Sequence, residues 1–345
     1  MRPDHAAARR RFLLGSSAAL AGALIGGCAV QTPRLLAAPP AGLPRRVELT
    51  ATPFFPQEEF QCGPAALATA LSAASLPTRP HDLVGKVFLP GREGALQIEM
   101  LAGARRSGAV AMVIPGTLEA VMRETAAGNT VVVLQNLGLS WAPSWHYAVV
   151  IGYDLDEEHF LLRSGPIERQ LLPFNTFEHT WDRAGRWAFV VLPPGRLPAT
   201  ADESEATRAL VAFERNAPPA LAERAYATGV ERWPHNLTLA MGLGNARYAM
   251  GDLGGARQAF AAAAQRFDAA AAYNNLASVL LELGRRSEAR QAALKAVDRA
   301  GSEGAIADSA RATLHRIDDS GKARQPKGRR NRRRPAVPLS DGTPR

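Results

Sequence analysis

Between residues 47 and 195 the apolar positions follow two different spacings. Val47–Phe55, Thr130–Gln135, His146–Tyr153, His159–Arg163 and Ala188–Leu192 are short, strongly apolar or alternating runs, and each predicts a strand. Ala95–Arg106 and Thr117–Ala127 carry helical spacing, as does the stretch from Pro64 on, where Leu67 and Leu71 lie one turn apart. Pro64 fits a first helical turn, whose backbone N–H groups have no partner to lose. Helices followed by mostly sequential strands predict an α+β domain with an antiparallel sheet. From residue 200 to 318 the spacing is helical throughout.

This second region repeats itself. Leu243-Gly244-Asn245-Ala246-Arg247-Tyr248 leads to a Gly251-Asp252 turn and then Ala256, Phe260 and Ala263. Leu276-Ala277 leads to Leu283-Gly284 and then Ala289, Ala293 and Ala296. The period is 33 residues. Ala222, Tyr226, Gly229 and Pro234 fall in register as the second helix of an earlier unit, and Ala305–Ile317 reads as a capping helix. The region resembles a tetratricopeptide array of about three units, which implies an all-α superhelix whose concave face takes a protein partner. The repeats serve equally well as a prop for the first domain.

The net charge of +9 looks like a nucleic-acid signal until it is located. Residues 1–27 carry +3 and residues 321–345 carry +8, so the intervening chain carries −2. A nucleic-acid partner is therefore not expected. Residues 319–345, rich in Arg, Lys, Pro and Gly, read as a disordered basic tail. Residues 12–27 are apolar behind Arg9-Arg10-Arg11, too short to span a bilayer, and read as a signal peptide covering 1–27. Ile25-Gly26-Gly27-Cys28 resembles a bacterial lipobox, and the arginines resemble a twin-arginine export motif. The resemblance implies lipidation at Cys28, a membrane lipid anchor and a place in the cell envelope facing the periplasm. Residues 28–46, rich in Pro and Ala, then read as a tether to a domain spanning 47–195.

With Cys28 lipidated, Cys62 is the only other thiol in the chain. It sits where a helix begins, so the helix dipole and free N–H groups are expected to hold its thiolate below the ~8.5 of a free cysteine and to bind a developing oxyanion. Gln57 lies just upstream as a side-chain amide for the same task. Of the seven histidines, His146 opens an apolar strand and so can face a cleft while being held rigidly. His81, His159 and His179 read as surface or interface residues, and Trp141 and Trp145 as walls of a cleft or packing under a loop. No spacing of His and Cys fits a metal, and no cofactor is expected.

The Gln57-x4-Cys62-Gly63-Pro64-Ala65 start and the Trp145-His146-Tyr147-Ala148-Val149-Val150-Ile151-Gly152-Tyr153-Asp154 strand resemble the papain-like, bacteriocin-processing peptidases that trim double-glycine leaders. The resemblance covers about residues 50–193. It implies Cys62 as nucleophile, His146 as its partner and Gln57 as oxyanion-hole donor, with Gln61 as the alternative because Gln57 lies one residue nearer the cysteine than the family's glutamine. The family orients its histidine with an Asp or Asn, and here that slot holds Ser164. A hydroxyl accepts a hydrogen bond but brings no charge. The chain is thus expected to be an envelope-anchored cysteine peptidase working through a Cys–His dyad on a peptide or protein. The alternatives are a weak or inactive peptidase-like binding module or scaffold, and acyl transfer by the same dyad. No Walker motif or fused transporter is present in the sequence.

Overall fold

The structure is a computed structural model, and it describes residues 30–57, 61–89, 91 and 94–322. The signal region, Cys28 and most of the basic tail lie outside the described residues. By compactness the chain divides into two units, one up to Asp252 and one from Leu253.

The first unit is built on a seven-stranded sheet in which every pairing is antiparallel. Its strands are β1 (Arg46–Glu48), β4 (Val110–Val113), β5 (Val131–Asn136), β6 (Trp145–Asp154), β7 (His159–Ser164), β8 (Ile167–Pro173) and β9 (Ala188–Leu192). The order is β4-β9-β5-β6-β7-β8, with β1 paired to the far end of β6. A small hairpin, β2 (Phe88–Leu89) with β3 (Gly94–Ala95), stands apart. Alternate side chains divide the central strands between two cores. Val131, Val133, Ala148, Val150, Ala188 and Val190 face one side. Val132, Leu134, Tyr147, Val149, Phe189 and Val191 face the other. Both faces are covered, which is why β5 and β9 are buried at every position and read in sequence as unbroken apolar runs.

Helices α2 (Cys62–Ala73), α3 (Pro80–Val87) and α4 (Gln97–Arg106) cover the second face. The first is covered by α1 (Gln31–Ala37), α5 (Leu118–Ala126) and α6 (Phe174–Asp182). The sheet and its helices agree with the α+β expectation. Strand β1 is shorter than the predicted Val47–Phe55. Its last ladder bond is Leu49 N–H to the Ile151 carbonyl at 2.7 Å, after which Thr52 turns back onto Leu49 and Pro53 and Pro56 carry the chain away.

The expectation of a tether over 28–46 is corrected by α1. Glu178, 1 % exposed, accepts from the backbone of Val30 (2.9 Å), Gln31 (2.8 Å) and Thr32 (2.8 Å) and from the Thr32 hydroxyl (2.8 Å). The carboxylate supplies the orphan N–H groups at the start of α1 with acceptors. Gln31 caps α5 in turn, its Oε1 accepting from Leu118 N–H at 2.9 Å, and Leu35 is buried in the core. The segment is therefore docked on the domain.

Three further helices belong to the first unit: α7 (Glu203–Glu214), α8 (Pro219–Arg232) and α9 (Leu237–Ala249). The division after Asp252 differs from the boundary expected near 195–200, and the contacts explain why. Helix α7 packs on β4. Glu124, with no exposed surface, accepts from Asn129 Nδ2 (2.7 Å), Ala199 N–H (3.2 Å), Thr200 N–H (2.7 Å) and the Thr200 hydroxyl (2.6 Å). The chain leaving the sheet is thereby locked to the end of α5.

The second unit holds α10 (Leu253–Phe267), α11 (Ala270–Glu282), α12 (Arg286–Ala300) and α13 (Ala305–Lys322). Its core is made of small residues, Ala277, Ala289, Ala292 and Ala293, with Leu280 and Ile317 filling between them. The two repeated turn glycines share one backbone conformation, Gly251 at φ 78° and Gly284 at φ 74°, which a side chain would strain. Helix α13 extends past the expected cap at Ile317, so residues 319–322 are helical and not tail.

Candidate active site

Cys62 is the first residue of α2, as the sequence predicts. Gly63 lets the small hairpin close over it. A Cβ at that position would lie 2.6 Å from Ala95 Cβ and 3.2 Å from Met100 Sδ. The backbone N–H groups of Tyr147, Gly63 and Cys62 itself favour the thiolate and so act to lower the thiol pKa. Tyr147 follows His146 on β6, so the thiol lies against the backbone next to the predicted base.

The thiol opens onto a cleft of about 830 Å³, lined by Leu96, Gln97, Leu134, Trp145 and Tyr147 among others. The described lining residues include no charged side chain. Trp145 and Ser144 reach the cleft from the β5–β6 hairpin, whose loop is organised by Asn136. Its Oδ1 accepts from Gly138 N–H (3.0 Å) and Ser144 N–H (2.9 Å). The same loop leaves Leu137, Leu139 and Trp141 exposed, Trp141 at 83 %.

His146 Nε2 lies 2.9 Å from Ser164 Oγ. The hydroxyl in the orienting slot thus holds one ring nitrogen and leaves Nδ1 for a second partner. Gln57 stands on the far side of Ser164. Its backbone N–H donates to the Gly165 carbonyl at 3.4 Å, and its side chain lines a small second cavity with Arg163, Ser164 and Gly165. Ser164 and Gln57 are therefore close neighbours, and Gln57 is not among the residues lining the Cys62 cleft. Gln61 occupies the N-cap of α2, where its carbonyl accepts from Ala65 N–H at 3.1 Å. His81 and His179 are exposed. His159 is held at the surface by the Glu157 carbonyl. Among the described residues no group of His, Cys, Asp and Glu is arranged to hold a metal ion, and no helix is long and apolar enough to cross a membrane.

The electrostatics differ from the sequence expectation of a lowered thiol pKa. Burial pushes the Cys62 thiol up, and the three N–H groups offset this only in part. Burial also pushes the His146 imidazole down. Both shifts favour the neutral forms, a thiol at Cys62 and an unprotonated imidazole at His146. Burial first, and the nearby Cys62 second, raise the Tyr147 phenol, whose hydroxyl donates to the Ala95 carbonyl at 3.1 Å.

Arg163 was not legible as a site residue, although a charge within the apolar strand His159–Ser164 was a signal for it. It is 9 % exposed and donates through Nη1 to the Glu168 carbonyl and, at 2.8 Å, through Nη2 to the Thr52 carbonyl. It therefore ties β7 to the loop that carries Gln57.

No family model matches the chain, and no curated protein does. Parts of it are similar to solved structures. One is a C39-like peptidase from Bacillus anthracis, at 18% identity and a TM-score of 0.37 over 43% of this chain and 98% of that one. Another is the peptidase domain of Streptococcus ComA, a bifunctional ABC transporter of a quorum-sensing pathway, at 16% identity and a TM-score of 0.35 over 41% and 98%. A third is the Sgt2 TPR domain from Aspergillus fumigatus, at 16% identity and a TM-score of 0.33 over 41% and 90%.

Proposed function

We propose that the chain is a cysteine peptidase. Cys62 gives its proton to Nδ1 of His146 and attacks a peptide carbonyl. The backbone N–H groups at the first turn of α2 hold the oxyanion, and the Gln57 side chain, which lines the Arg163–Ser164 cavity instead, has no part in it. The imidazolium then protonates the leaving amine, and water hydrolyses the thioester. The observation that carries this reading is the His146 Nε2–Ser164 Oγ contact of 2.9 Å, which orients the ring on the strand whose next residue, Tyr147, lines the Cys62 cleft. The described lining of the cleft, which carries no charged side chain, fits an uncharged, largely apolar peptide segment. Lipidation at Cys28 would hold the protein in the cell envelope facing the periplasm. The helical repeats would recruit a protein partner.

The test is labelling by a thiol-reactive peptide-like probe, compared between the wild type and Cys62→Ala. Fast, saturable labelling lost in Cys62→Ala supports the peptidase. Labelling no faster than an ordinary buried thiol, with no turnover of any peptide, favours a binding module with a peptidase-like fold. The upward shift of the thiol and downward shift of the imidazole are the observations that favour that second reading. Cys28→Ser should release the protein from the membrane fraction, and unchanged retention would refute the lipid anchor.

A further inference from the structure

Among the described residues Arg163 has no ion-pair partner. A guanidinium stays protonated in any protein environment. Here it is buried, and its two terminal nitrogens donate only to neutral carbonyls, those of Glu168 and Thr52. Its Nε–H is buried and has no hydrogen-bond partner. The carboxylate that feels its charge, Glu48, is already held by both arms of Arg169, at 2.7 and 3.0 Å. A buried cation whose nearest described carboxylate is already engaged by another guanidinium is unfavourable.

Beside this group lies a cavity of about 10 Å³, lined by Arg163, Ser164, Gln57, Thr69 and Gly165 among apolar side chains. That is room for one water-sized occupant. The polar side chains around it are donors or can turn to become donors: an Nε–H, two hydroxyls and an amide. We propose that this cavity is a halide site, filled by chloride bound to Arg163 and Ser164. The ion neutralises the guanidinium. It also places a negative charge one hydroxyl away from His146, whose Nε2 contacts the same Ser164 oxygen. With Nε2–H donating to Ser164 Oγ, the serine proton is free to point at the anion. The imidazolium formed when His146 takes the Cys62 proton is then stabilised by a chain of hydrogen bonds ending on a charge. The functional part of this inference rests on the peptidase reading, and the site itself does not.

Two measurements test it. Crystals of the full chain prepared in sodium bromide should show an anomalous bromine peak within hydrogen-bond distance of Arg163 Nε and Ser164 Oγ. In solution, the rate of Cys62 alkylation at neutral pH should rise saturably, by about threefold or more, when chloride replaces gluconate at constant ionic strength. Arg163→Met should lose both the peak and the rise. Should that variant fail to fold, Ser164→Asp gives the guanidinium its own carboxylate and should exclude bromide and remove the halide dependence. A cavity that refines as water, or an alkylation rate that follows ionic strength alone, overturns the proposal. Absence of peptidase turnover would sink the enzyme reading while the bromine peak still decides the site.

Discussion

Glu124 and Glu178 are both fully buried, and in each the two carboxylate oxygens accept two hydrogen bonds apiece. Glu178 clamps the chain where it enters the sheet domain, at residues 30–32, and Glu124 where it leaves, at 199 and 200. The cluster of His146 and Ser164, half-buried, and Arg163, buried, lies in the same unit but is satisfied differently. The ring is held by a neutral hydroxyl, and Arg163 Nε has no partner. The fully satisfied carboxylates fix the fold, and Arg163 Nε, which shares its lack of a partner with Arg105 Nε, Ser107 Oγ and Asn274 Oδ1, is set apart from those by the cavity it lines with Ser164. If this contrast is right, changes in the two regions fail differently: carboxylate variants lose stability, and site variants lose rate.

The largest expected effect lies at the site. His146→Ala should leave the unfolding midpoint almost unchanged while lowering peptidase turnover by about 10²- to 10⁴-fold, the range for loss of a general base. Ser164→Ala should cost less, because it frees the ring without removing it. A His146→Ala protein that keeps its turnover would break the contrast at its strongest point.

Next comes the exit clamp. A chain ending at Pro198 loses Ala199 and Thr200, and with them three of the four bonds to Glu124, as well as α7 from β4. Stranding a buried carboxylate costs about 3–5 kcal/mol. Urea unfolding of this chain should show a loss of that order against one ending at Asp252. Equal midpoints would mean that the sheet domain is independent of the helices that follow it.

The entry clamp should matter somewhat less. Glu178→Ala leaves the Val30, Gln31 and Thr32 donors without acceptors, although α1 lies near the surface and water can reach it on undocking. A loss of about 1–3 kcal/mol is expected, with residues 30–37 becoming accessible to proteases. The pH dependence has a definite sign. Burial raises the Glu178 carboxyl, but the bonds from Gln31, Thr32 and Val30 outweigh it and leave the group below its ordinary value. The clamp's contribution is thus full above the unfolded carboxylate pKa and is lost as pH falls through the lower folded value. Proteolysis of α1 that is independent of acid would contradict this.

These two clamps also show where the sequence could be read and where it could not. Strands β5, β6, β7 and β9 were legible because burial on both faces writes itself as unbroken apolar runs. The helix start at Cys62 and the strand mouth at His146 were legible because local spacing fixes both elements. Residues 28–46 read as a tether because nothing local reveals a clamp whose other half, Glu178, lies 146 residues beyond Thr32. For the same reason the boundary near 195–200 did not disclose Glu124. Gln57 was assigned from the resemblance and its place upstream of Cys62, and neither can show that its side chain lines the Arg163–Ser164 cavity. Motifs carry chemistry and periodicity carries elements, but a polar contact between distant segments is fixed only by the fold.

The smallest effect is the most discriminating, and it concerns the resting state of the nucleophile. Position at a helix start alone predicts a thiolate formed below the ordinary thiol range. The folded structure adds burial, which pushes Cys62 up by more than the N–H groups of Tyr147, Gly63 and its own backbone pull it down. His146, pushed down by burial, is neutral over the same range and supplies no charge to offset this. Alkylation rate against pH, measured in gluconate without halide, should therefore show its midpoint above that of a free cysteine, ~8.5. The linked stability should fall as pH rises above the unfolded thiol's pKa, because the unfolded chain ionises first. His146→Ala should barely move the midpoint in the resting enzyme, since a neutral imidazole contributes no field. It should nonetheless abolish fast reaction with a peptide-like probe, whose binding excludes water and calls on the base. A midpoint in the acidic range that rises in His146→Ala would instead show a preformed thiolate–imidazolium pair, with Ser164 and its surroundings supplying more negative field than a bare hydroxyl can.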